Sequence, residues 1–322
     1  MEVCRLLVLF MLLSSLTVMS YSFYEIYSVK PNLAIISGSG NESGITLVDN
    51  WLIYSASGYG DEPYDWDIWF VSCDTIFGGM ADMSAEGELV ESIFIKSTSG
   101  TPLTGLNTRY VEASPSYSSD LGKLFFHSDR PGGYGCEDIY GALVVGGSKR
   151  VIVRDVSNLG DSINTSYVDV CPFVNDDGTI LIFASNRNGG YGGLDLWLSM
   201  RSDSKWSAPV NLGPLINTSG NEKYPFLSEF GLFWSSDGRD DSEGYDIYFT
   251  EDVLKGISTV VRLPAPINSQ FNDWGLAILE GDYLVWSSDR PGYAGGSDIF
   301  YLELPGFKPT TMKIMKSLIY NQ

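Results

Sequence analysis

One template returns five times along this chain, and that recurrence constrains the fold more than any other feature. The copies are "NESGITLVDNWLIYSASGYGDEPYDWDIW" (41–69), "VEASPSYSSDLGKLFFHSDRPGGYGCEDIY" (111–140) and "VDVCPFVNDDGTILIFASNRNGGYGGLDLW" (168–197), then "NEKYPFLSEFGLFWSSDGRDDSEGYDIY" (221–248) and "NDWGLAILEGDYLVWSSDRPGYAGGSDIF" (272–300). An acid opens each copy: Glu42, Glu112, Asp169, Glu222 and Asp273. An aromatic sits in the middle: Tyr54, Phe126, Phe183, Trp234 and Trp286. A second acid precedes an apolar–aromatic pair: Asp67, Asp138, Asp195, Asp246 and Asp298.

The apolar runs between these columns are short and bounded by turn residues, which favours strands over helices. Each copy supplies three strands, and spacers such as "KRVIVRDV" and "STVVRL" supply a fourth. Four antiparallel strands repeated at a regular period predict the blades of an all-β propeller, packed face to face because no blade buries both faces alone. The run "PNLAIISGSGNE" (31–42) resembles "VNLGPLINTSGNE" (210–222), a linker between blades. By that register "SFYEIYSVK" (22–30) is the expected outer strand of the last blade, closing the ring without a free edge. The segment "TTMKIMKSLIY" (310–320) is unassigned, and "CDTIFGGMADMSAEGELVESIFIKSTSG" is expected to be an insertion plus an outer strand.

The stretch "SPSYSSDLGKLFFHSDRPGGYGCEDIY" resembles the TolB-like propeller repeat. The likeness covers nearly all of the chain after its first twenty residues. TolB-like propellers usually have six blades, whereas five copies are present here, so five blades are expected and six stay open. The resemblance implies a fold and leaves the function wide, since such propellers serve as binding platforms, assembly modules and occasionally enzyme scaffolds. The expectation is an exported, non-catalytic platform for an envelope or secreted protein, a peptide or a glycan. The alternative is a carbohydrate-active enzyme, a hydrolase or lyase using carboxylates at the central channel.

Arg5 precedes the apolar run "LLVLFMLLSSL" (6–16), the layout of a secretory signal over residues 1–20. A propeller over 21–306 and a tail or closing strand over 307–322 complete the expected organisation, in the periplasm or outside the cell, with no membrane span once the signal is removed. The formal charge of −20 disfavours nucleic acid as a partner. Beyond the signal, Cys73, Cys136 and Cys171 allow at most one disulfide and match no zinc spacing.

A residue that recurs in every blade is expected to serve the fold, and one that breaks the pattern is the better functional candidate. Asp129 with Arg130, Asn186 with Arg187, and Asp289 with Arg290 recur in the loops. Asx residues there can cap their own turns. The arginines are expected to pair with the later acids, Arg130 with Asp138, Arg187 with Asp195 and Arg290 with Asp298. The five opening acids are expected near the central axis. They either form a carboxylate ring that holds calcium or a cationic group, or accept N–H bonds from neighbouring blades. His127 stands where the sister copies carry Ser55, Ala184, Ser235 and Ser287, and is read as a packed core residue. Trp274 follows the fifth acid and is a candidate to stack on a ligand at the channel mouth. Asp240, Asp241 and Glu243 form an acidic loop whose spacing fits no calcium loop. The sequons at Asn41, Asn164 and Asn217 are read as coincidences of the repeat.

Overall fold

The structure is a computed structural model. It describes residues 32–36, 41–49, 51–57, 66–72, 100–147 and 150–240, and most of 242–303 with short turns excepted. The signal segment, residues 22–30, Cys73 and the segment 310–320 lie outside the described residues.

The described residues form strands and turns with no helix, arranged as the five blades the repeat predicts. Blade one holds β2 (Asn41–Val48), β3 (Trp51–Ser57), β4 (Trp66–Ser72) and β5 (Thr101–Pro102). Blade two holds β6 (Glu112–Ser118), β7 (Lys123–Ser128), β8 (Asp138–Gly147) and β9 (Arg150–Asn158). In blade three, β10 (Asp169–Val174), β11 (Ile180–Ser185) and β12 (Asp195–Ser202) are followed by β13 (Lys205–Trp206) and β14 (Val210–Asn211), which both pair with β12. Blade four is β15 (Glu222–Ser228), β16 (Gly231–Ser236), β17 (Asp246–Thr250) and β18 (Val261–Arg262). Blade five is β19 (Asp273–Leu279), β20 (Tyr283–Ser288) and β21 (Asp298–Glu303).

The outer strand of blade five is β1 (Asn32–Ile36), antiparallel to β21. The ring is thus closed by an N-terminal strand, as expected, but "NLAII" rather than residues 22–30 takes the place. The similarity of 31–42 to a linker misassigned it: in blade three the matching run also contains a short strand, β14, against β12.

The core divides by interface. One apolar cluster fills each junction between neighbouring blades, such as Phe233, Phe249, Leu284, Trp286 and Phe300 between blades four and five. Another joins Leu52, Tyr54, Val285 and Ile299 across the seam where blade five meets blade one. Burial on both faces explains why β11 and β16 are buried at every residue instead of alternating.

Asn164 and Asn217 are 1% exposed, and each bonds the backbone of the third strand of its blade through both ends of its amide. Asn107 and Asn268 do the same in blades one and four. The "INTS" motif is therefore a structural clamp, and these two sequons are inaccessible in the folded chain.

Candidate functional site: the central axis and its two mouths

Each blade places its opening acid at the start of the innermost strand. Glu112, Asp169, Glu222 and Asp273 are fully buried; the side chain of Glu42 lies outside the described residues. Burial of a carboxylate demands partners, and the repeat supplies them. Glu112 accepts from the Thr108 amide at 2.6 Å, the Thr108 hydroxyl at 2.8 Å and Ser128 at 3.0 Å, and pairs with Arg130 at 2.9 Å. Asp169 is held by Thr165 and Arg187, and Asp273 by Ser269 and Arg290. These acids tie the strand to the turn before it and to the loop of their own blade.

This corrects the expected arginine pairing. Arg130, Arg187 and Arg290 bind the opening acids rather than Asp138, Asp195 and Asp298. Each guanidinium lies against a pair of neighbouring aromatic rings, Phe126 and Tyr140 for Arg130, Phe183 and Trp197 for Arg187, Trp286 and Phe300 for Arg290. Packing against this aromatic pair aims it at the first strand. The later acids instead organise the loop before them. Asp138 accepts from the Tyr134 and Gly135 amides and from Asn158, and Asp195 from the Tyr191 and Gly192 amides and from Asn211. A Cβ at Gly133 or Gly190 would strike that carboxylate, which is why glycine stands there. Asp129 and Asp289 cap the turns, accepting from Val111 and Asn272. Asp298 opens β21 and is buried. Among the described residues no group of three or more His, Cys, Asp or Glu is placed to hold a metal ion.

Two residues after each acid, every innermost strand carries a bulge with positive φ: Gly44 (58°), Ser114 (53°), Cys171 (51°), Tyr224 (51°) and Gly275 (67°). In blades two to five the bulge amide reaches toward the previous blade. Ser55 accepts from Ser114 at 2.8 Å, and Ser235 from Gly275 at 3.2 Å. His127 takes the same role toward Cys171 through Nδ1, at 3.4 Å. This leaves its proton on Nε2, 3.8 Å from Glu137. Burial, helped by the Lys223 charge, lowers its pKa to about 3, so the ring is neutral. Ala184 offers no acceptor, and the Cys171 sulfur takes the Tyr224 amide instead. His127 is a packed acceptor, as its position among the serines suggests.

The bulges divide the axis. On the side of the first hairpin turns lies a cavity of about 1060 Å³. Ser116, Phe173 and Phe226 line its walls, with Tyr117 beyond them, and its rim carries Asp49, Asp120, Asp176, Asp177 and Glu229. The rim acids are exposed. The turns of blades two and three meet there, with Asp120 N donating to Asp176 O at 3.0 Å and Ser118 Oγ to the same oxygen at 2.7 Å. Asp177 is held below the usual carboxylate range by hydrogen bonds from Thr179. The Tyr117 phenol is raised by burial and by the Asp49 charge. Sequence reasoning missed this mouth because its acids occupy turn columns, where acids are routine.

The other mouth gathers pattern breakers. Lys223 and Trp274 are partly exposed and follow the opening acids of blades four and five. Lys223 Nζ lies 5.3 Å from the Tyr245 ring centroid. Glu137 stands beside it, and burial pushes its pKa up despite the opposing Lys223 charge. Of the acidic loop, Asp241 and Glu243 lie outside the described residues.

No protein family profile matches the chain, and no curated protein does. Solved propellers resemble it. An exo-β-1,3-galactanase from Clostridium thermocellum is 14% identical over 83% of this chain and 59% of its own, with a TM-score of 0.49. An α-L-arabinanase from Penicillium chrysogenum, complexed with arabinobiose, is 13% identical over 86% of this chain and 99% of its own, with a TM-score of 0.46. TolB from Acinetobacter baumannii is 15% identical over 82% of this chain and 55% of its own, with a TM-score of 0.42. The chain thus spans 59% of the length of that galactanase. Likeness of this degree carries no activity over to this chain; the β-propeller fold rests on its own five blades. The expectation of a non-catalytic platform is set aside, since enzymes that cleave glycosides as well as TolB are among these structures.

Proposed function

We propose that this chain is a carbohydrate-active enzyme that works at the mouth of the axial cavity, and that it is exported, on the strength of the Arg5-led apolar run. The observation that carries the reading is the cavity itself, a large recess with aromatic walls and a rim of exposed carboxylates. Aromatic faces stack on sugar rings, and glycoside cleavage needs two carboxyl groups flanking the bond. Glu112, Asp169 and Asp273 are poorly suited to supply them, since they are buried and bonded to arginine. Asp120 and Asp176, exposed on the rim and on turns joined by a hydrogen bond, are the pair we assign to this role.

The test is turnover on a glycan panel that includes β-1,3-galactan and α-L-arabinan oligosaccharides. Asp120→Asn and Asp176→Asn are each expected to cut kcat by about a hundredfold or more with an unchanged melting curve. Absence of turnover across the panel would sink the reading. A second reading, favoured by the raised pKa of Glu137, puts the general acid at the opposite mouth beside Lys223 and Trp274. It predicts that Glu137→Gln abolishes turnover while the two rim variants leave it intact.

A further inference from the structure

The bulge residues that floor the axial cavity include two glycines, Gly44 and Gly275, on either side of the seam between blades one and five. The point where a side chain on Gly275 would begin is open, with Gly44 N at 3.8 Å and Ser287 Oγ and Tyr224 Cδ1 each at 3.9 Å. Ser287 is fully buried, and its hydroxyl has no partner among the described residues. Its sisters Ser55 and Ser235 each accept a bulge amide from the next blade. A buried hydroxyl without a bond is costly. Beside an opening in a cavity floor, it is satisfied by a polar group that enters from the cavity.

The rim carries unspent charge. Asp49, Asp120, Asp176, Asp177 and Glu229 are exposed on it, and no lysine, arginine or histidine lines the cavity. Carboxylates in turns commonly cap them, and Asp177 does so through Thr179. The other four accept no hydrogen bond and form no ion pair among the described residues. Aromatic faces stand among them: Tyr117 lies on the hairpin of Asp120, and Phe230 follows Glu229. The mouth thus joins stacking surface to unneutralised negative charge, and offers a ligand many acceptors and no charged donor. Neutral sugars need no such charge, uronic acids are repelled by it, and a sugar that carries an ammonium gains from it. We infer that the substrate is a cationic glycan built of amino sugars with free amines, its ammonium groups held by the rim carboxylates and one hydroxyl by Ser287 at the floor. The inference rests on the enzymatic reading of this mouth given above.

The experiment compares oligosaccharides of glucosamine and of galactosamine with their N-acetylated counterparts, which keep the ring and lose the charge. Turnover and calorimetric binding are both read, at a pH where the amines are charged. An amine form is expected to be cut with a kcat/KM at least about tenfold above its acetylated counterpart, and with a KM that rises as salt is added. Glu229→Gln and Asp49→Asn should each raise KM for the amine form by about two- to fivefold. Ser287→Ala removes no hydrogen bond made among the described residues, and should raise KM with an unchanged melting curve. Neutral glycans cut while amine forms are neither cut nor bound would overturn the cationic substrate and leave the enzymatic reading standing. Salt-sensitive binding of an amine form without turnover of any glycan would overturn the enzymatic reading and keep the cationic ligand. No preference for amine over acetylated forms, or an oligolysine peptide bound as tightly as the amine form, would overturn the inference. So would an unchanged KM in all three variants.

Discussion

Blade four and its sisters solve the same problem with different loops. In blades two, three and five the arginine directly follows the Asx residue of the loop, and its guanidinium reaches the opening acid. In blade four Gly238 separates Asp237 from Arg239. Arg239 still lies against Trp234 and Tyr248, and it still donates to the linker carbonyls of Leu215 and Ile216. It forms no ion pair with Glu222, whose pKa is raised by burial. The positive partner appears elsewhere: Arg262 forks onto Asp246 with two bonds of 2.9 Å, where the sister blades use Asn158 and Asn211. The stacked aromatic pair fixes where a guanidinium sits, and loop length fixes which acid it serves.

The strongest way to break this comparison is to remove the arginines. Arg187→Ala strands the buried Asp169 and is expected to cost about 3–5 kcal/mol in urea denaturation. Arg239→Ala removes bonds to carbonyls and contacts with Trp234 and Tyr248 but leaves Glu222 with its other partners, and should cost less, about 1–2 kcal/mol. Equal losses would show that the missing ion pair is immaterial.

A smaller contrast lies in the acids. Glu112→Gln weakens the pair with Arg130 and should destabilise the fold at pH 7. Glu222→Gln should be neutral or stabilising there. The sign follows from linkage. A carboxyl whose pKa is raised in the fold above 4.5 binds its proton more tightly there than in the unfolded chain. Its contribution to stability therefore falls as pH rises through the window above 4.5, and Glu222→Gln should flatten that fall in thermal melts across pH.

The smallest effect concerns His127. Its folded pKa of about 3 lies below the ordinary 6.5, so the stability it contributes is present above pH 6.5 and is lost as the pH falls toward 3. His127→Ser installs the acceptor used by sister blades. It should change stability at neutral pH by no more than about 1 kcal/mol and remove part of the acid sensitivity. A steep acid loss that survives the substitution would assign it to other groups.

Much of this architecture was legible in the columns of the repeat. Blade number, strand positions and the structural use of recurring residues follow from Tyr54, Phe126, Phe183, Trp234 and Trp286 and the acids around them. The arginine partner was not legible, since two acids recur with equal regularity and only packing against the stacked aromatic pair selects between them. Nor was the floor of the cavity. A positive φ usually announces itself through glycine, yet this column reads Gly44, Ser114, Cys171, Tyr224 and Gly275. The bulge is imposed by packing around the axis, which no single strand encodes.

The pairing of β1 with β21 sets a timetable. Asn32 meets Tyr301, so the segment that completes the final blade is made near the beginning and finds its partner only near the end. Contacts of such separation form slowly, because the loop must close before they contribute. Until they form, the outer edge of β21 presents unpaired N–H and C=O groups to any strand that arrives first. A second copy of this chain carries the same "NLAII" segment, and the hazard of folding is therefore exchange: one molecule lending its latch to another's ring.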